Sequence, residues 1–97
     1  MNQATSNVAT LDPAARQACG NLKAIIQARS TGILDPRELQ GEIAQVYAEA
    51  STSVNPIIRA RAVALFADAT QLAAGGQGGS LDADLAAMNQ VCAGAGA

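Results

Sequence analysis

Three times in this chain an aspartate or asparagine stands directly before a proline: Asp12-Pro13, Asp35-Pro36 and Asn55-Pro56. The pairing constrains the fold more than any other feature. Asp and Asn side chains accept hydrogen bonds from the unpaired N–H groups of a first helical turn. Proline suits the first helical position, because the N–H it lacks has no partner there. Each pair therefore marks a helix start. The second is the most fully specified. Glu38 follows Asp35 by three residues, as in a capping box, and Leu34 and Leu39 are spaced as a hydrophobic staple.

The apolar spacing agrees. Ala15, Ala18, Cys19, Leu22, Ile25 and Ile26 recur at helical intervals, as do Leu39, Ile43, Val46, Tyr47 and Ala50. Ile58, Ala62, Leu65, Ala69 and Leu72 form a third stripe, and Leu81, Leu85, Met88 and Cys92 a fourth. Such steps place side chains on one face of a helix. Ile57, Val63 and Phe66 lie off the third stripe, so that helix is expected to be the most buried. The GGQGG run at 75–79 reads as a linker, after which Ser80 offers a fourth cap and Asp82 and Asp84 suit the helix dipole. The start and stop signals predict helices over roughly 12–30, 35–51, 55–74 and 80–93. No segment alternates as a strand does. The expected architecture is all-α: a four-helix up-down bundle over 12–93, a loose arm at 1–11 and a short tail at 94–97.

The chain has 97 residues, one domain's worth. Tyr47 and Phe66 are its only aromatic residues, and much of its apolar content is alanine. A core built this way is thin and gains from a cross-link. The chain contains two cysteines. In an up-down bundle the first and last helices are antiparallel, and Cys19 and Cys92 then fall at about the same height. A Cys19–Cys92 disulfide is the expected pairing; two buried free thiols are the competing reading. A disulfide implies an oxidising compartment, hence an extracellular or cell-envelope protein whose signal peptide has been removed.

Other function classes find little support. The six basic residues are scattered and the net charge is −2, which argues against nucleic-acid binding. No apolar run is long enough for a membrane span. The chain has no histidine, the usual base for Ser or Cys nucleophiles. Two distant thiols make no metal site. Glu38 and Glu42 share a helix face but read as a solvated one. The chain is therefore expected to be non-enzymatic and to need no cofactor of its own. Arg61 lies at the edge of the third stripe, with Asp68 two turns along. It either covers the core with its stem or stands at the mouth of an apolar cleft that receives an anionic ligand. Arg59 reads as plain surface. Tyr47 and Met88 fit their stripes as core; both residue types also ligate haem iron.

The stretch from QACGNLKAII to AAMNQVCAG brackets an alanine-rich helical chain with one early and one late cysteine. This arrangement resembles small exported helical proteins of actinobacteria, including mycobacterial haemophore-type domains. The resemblance implies binding of haem or another apolar ligand. It shares no motif, so it assigns no ligand residue. The length is similar to that of secreted helical-hairpin proteins of type VII export, but their Trp-x-Gly turn is absent. Two functions follow as expectations. One is a module that binds a protein partner or forms a homodimer. The other is a carrier holding a small apolar ligand, such as lipid or haem, in the bundle core.

Overall fold

A computed structural model describes residues 11–76 and 80–94. Residues 1–10 of the expected arm, the linker residues 77–79 and residues 95–97 of the expected tail lie outside the described residues, and Gly94, read as the first residue of the tail, belongs to the last helix. Four helices follow in order: α1 (Pro13–Ser30), α2 (Pro36–Ala50), α3 (Pro56–Ala73) and α4 (Leu81–Gly94). Each packs on its neighbour in sequence, and α1 closes the ring against α4. The expected four-helix bundle is thus the observed one, and no strand occurs among the described residues.

The three proline-marked starts hold, but the caps work differently. At α2 the capping box is complete: the Glu38 N–H donates to Asp35 Oδ1 at 2.8 Å and the Asp35 N–H donates to Glu38 Oε1 at 3.1 Å. At α3 the Asn55 Oδ1 accepts the N–H groups of Ile57 and Ile58 at 2.9 and 3.2 Å. At α1 Asp12 occupies the cap position but makes no capping hydrogen bond with its side chain. Its carboxylate reaches across to the α2–α3 loop instead, accepting from Ser53 Oγ at 2.6 Å and from the Val54 N–H at 3.3 Å. Ser53 Oγ in turn accepts the Asn55 N–H at 3.0 Å, and Arg59 Nη1 donates to the Ser53 carbonyl at 2.7 Å. Local capping thus yields to a contact between distant segments. The Ser53 hydrogen bond, more than any other cause, holds the Asp12 carboxyl below its usual range.

Two helices end at left-handed glycines. Gly32 has φ +73° and Gly75 φ +92°. Past each helix end the N–H groups fold back on free carbonyls: Ile33 to Ala28 and Gly32 to Arg29, then Gly76 to Gln71 and Gly75 to Leu72. A residue with a Cβ is strained in that conformation, which is why glycine stands there.

The buried stripes follow the expected spacing, complete in α4, while Ile26, Tyr47 and Leu72 of the expected sets are only partly buried. Leu11, assigned to the arm from sequence, is also buried. The expectation that α3 is the most buried helix fails. Ile58, Ala62, Leu65 and Ala69 turn inward, but Val63 is 54% exposed and Ile57 39%. A helix in a four-membered ring has two neighbours and buries one face only. Val63 lines the groove between α2 and α3. Alanines at 15, 18, 50, 62 and 69 are all within 1% of full burial, so small side chains make up part of the core.

The sulfurs of Cys19 and Cys92 are joined, with their Cα atoms 5.8 Å apart. The bond links α1 to the last turns of α4. At the other end of the same pair Arg29 Nε donates to Asp82 Oδ1 at 2.7 Å. That bridge is a weak fastening, because Asp82 is 77% exposed and exposed pairs contribute about 0–1 kcal/mol. The disulfide is the principal tie between the first and last helices.

Candidate functional site

Two surface grooves collect the side chains that could meet a partner. The first lies along α2 and α3 and is lined by Tyr47, Ser51, Pro56, Arg59, Ala60 and Val63, with a volume of about 400 Å³. Tyr47 comes from the α2 stripe at its edge, so one side of the ring packs on the core and the other faces out. Its ring stacks on Phe66 of α3, with centroids 4.9 Å apart and planes 10° from parallel. Offset aromatic pairs of this kind add about 0.5–1.5 kcal/mol beyond the area they bury. The stack fixes one wall of the groove. The hydrogen bond from Arg59 to the Ser53 carbonyl ties the cation at its edge to the loop backbone.

The second groove separates α1 from α4. Ile26, Leu85 and Ala86 supply apolar lining, and Arg29, Ser30, Asp82 and Asn89 the polar part; its volume is about 320 Å³. The adjoining surface brings in Lys23 and Gln27. The Arg29 hydrogen bond, the largest cause, and its positive charge pull the Asp82 carboxyl below its usual range.

The residues singled out from sequence do not gather in one cleft. Tyr47 lines the first groove, where the cation is Arg59 and not Arg61. Met88 is fully buried in the core cluster and lines neither groove. Arg61 is exposed on the α4 side of α3. Its charge and that of Asp68, also on α3, act on the Asp84 carboxyl of α4. The shared contact with Asp68, then burial, pushes the Asp84 carboxyl up to about 6, against the opposing pull of Arg61. From sequence Asp68 reads as a companion of Arg61, and Asp84 as a first-turn dipole partner. Their meeting depends on how α4 docks, which spacing within one helix does not record. Arg59 reads from its helix position as plain surface; it is exposed, and its bond to the Ser53 carbonyl orients it at the groove edge. The arrangement of a cation beside apolar side chains, expected at Arg61, occurs at Arg29.

Glu38 is occupied in its capping box, and both it and Glu42 are exposed. Among the described residues no group of three or more His, Cys, Asp or Glu side chains is placed to hold a metal ion. Among them, too, no helix is long and apolar enough to cross a membrane.

The fold and the bond at Cys19–Cys92 define a class: an all-α four-helix chain whose first and last helices are covalently tied. No family model, curated protein or solved structure matches the chain.

Proposed function

We propose that this chain is an exported, non-enzymatic interaction module that associates with a second copy of itself through the α2–α3 groove. The observation that carries the reading is Val63, a large apolar side chain 54% exposed in a groove that it lines with Tyr47, Pro56 and Ala60 beside the polar Ser51 and Arg59. Apolar surface of this kind gains free energy when a partner removes it from water. Tyr47 and Arg59 are among the residue types enriched at binding hot spots, and here both are held in place before any partner arrives. The export part of the reading rests on the disulfide, since such bonds persist in oxidising compartments.

Sedimentation equilibrium over a wide concentration range tests the association. The wild-type mass is expected to rise with concentration, and Val63→Asp to remain monomeric throughout while keeping its helical circular dichroism. A wild-type chain that stays monomeric at every concentration removes the self-association reading.

A second reading has an observation of its own. Ile26, Leu85 and Ala86 beside Arg29 suit an apolar ligand with an anionic head. The volume is at the small end of ligand sites, which span ~300–1,000 Å³. Such a ligand would occupy this surface groove. Titration with haemin and with fatty acids is expected to raise the melting temperature if the reading holds, since a ligand specific for the folded state must stabilise it. No shift at excess ligand removes it.

A further inference from the structure

We propose that Asp12, at the start of α1, is a positioning residue for the α2–α3 groove: by fixing Ser53 it sets the loop that orients Arg59, and so governs association at a face it does not line. The last consequence rests on the self-association reading; the positioning does not. Three helices are joined at Ser53, which is only 3% exposed. Its N–H donates to the Ala50 carbonyl of α2 at 3.0 Å. Its hydroxyl donates to the Asp12 carboxylate of the α1 start at 2.6 Å and accepts the Asn55 N–H at 3.0 Å. Its carbonyl accepts from Arg59 Nη1 of α3 at 2.7 Å. Asn55 in turn caps α3 through the N–H groups of Ile57 and Ile58.

A hydroxyl has one proton to donate. The Asp12 carboxylate takes it, which leaves a lone pair of Ser53 Oγ turned to the Asn55 N–H. The 2.6 Å length is that of a hydrogen bond to an ionised acceptor, a class stronger than neutral pairs. The second carboxylate oxygen accepts the Val54 N–H at 3.3 Å, so the side chain and the backbone of the loop are both held. Asp12 makes no side-chain capping hydrogen bond to α1. Without the carboxylate the Ser53 hydroxyl can rotate and the Val54 N–H loses this acceptor. The loop then shifts with Pro56 and Arg59, which line the groove beside Tyr47 and Val63. Arginine has a rotamer-rich side chain, and fixing it in advance lowers the cost of ordering it when a partner binds.

Nuclear magnetic resonance of dilute chain and sedimentation equilibrium together test the proposal. In Asp12→Ala, exchange protection of the Val54 and Asn55 amides is expected to fall about tenfold and the Arg59 Nε–H resonance to move, while Leu22 and Ile25 in α1 keep their protection. Association is expected to weaken by about tenfold at most. Ser53→Ala is expected to act alike, and serves if the first variant folds poorly. The double variant should lose no more than the worse single one, because both remove the same contact. Asp12→Asn keeps an acceptor for the Ser53 hydroxyl and should restore most of both signals. Unchanged loop and Arg59 signals in Asp12→Ala overturn the positioning, whether or not the chain associates. So do additive losses in the double variant. Altered loop signals with an unaltered association constant overturn the control of the groove. A wild-type chain that stays monomeric removes the self-association reading instead, and the dilute-sample signals still decide the positioning.

Discussion

Breaking the Cys19–Cys92 bond, by reduction or by replacing both cysteines with alanine, is expected to cost the fold about 4 kcal/mol. The bond spans 73 residues of sequence. Closing a loop of that length removes chain entropy from the unfolded state worth about 4 kcal/mol, with measured disulfides ranging over ~0–5. A domain of this size is stable by only ~5–15 kcal/mol in total, so the bond is a large share of the margin. The remaining links between α1 and α4 are weak in comparison: an exposed salt bridge and the contacts of a few apolar side chains. Urea unfolding with and without reductant measures the effect. Loss of helical signal is expected first in α4, which hydrogen exchange resolves. A reduced chain with unchanged midpoint would show that packing alone holds the last helix. The same reagent bears on the compartment: thiol counting on denatured, unreduced chain taken from its own cells should find no free sulfhydryl.

Truncation of Met88 should be nearly as damaging. Its side chain is fully enclosed between the helices, in the same cluster as Leu65, Leu81 and Leu85. Met88→Ala removes buried atoms and leaves a void, a change that costs about 2–5 kcal/mol in comparable cores. Met88→Leu nearly conserves the volume and should cost less than about 1.5 kcal/mol. The contrast separates packing from ligation. A residue that serves as core follows volume, whereas a thioether ligand is lost in either variant. Denaturation midpoints of the two variants, beside any change in haemin absorbance, make the comparison. If leucine proves as harmful as alanine, Met88 does more than fill space.

The helices were legible because their signals are local. Asp35, Glu38, Leu34 and Leu39 lie within one turn and agree with one another, and the observed start follows them. Cys19 and Cys92 could be paired because antiparallel neighbours fix the height of each residue. The misreadings arose where a side chain answers to a distant segment. Asp12 reads as a cap, yet its carboxylate is claimed by Ser53 and Val54, forty-one and forty-two residues on. Arg59 reads as surface and is exposed, but its tie to the Ser53 carbonyl at a groove edge was not readable from its own helix. Val63 reads as core because it is apolar, but a periodic face says which residues share a side and not how many sides are covered. Gly32, left-handed at φ +73°, is a helix-stop signal carried by residue type alone.

The connection between α3 and α4 lies inside the span that the disulfide closes. A protease that cut the backbone once there would not divide the molecule: both pieces would stay covalently joined and would separate only on a reducing gel. Such a nicked chain would keep all four rods in register while gaining a free swivel at the top of the fourth. Integrity by mass and integrity of the backbone are therefore separate properties in this protein.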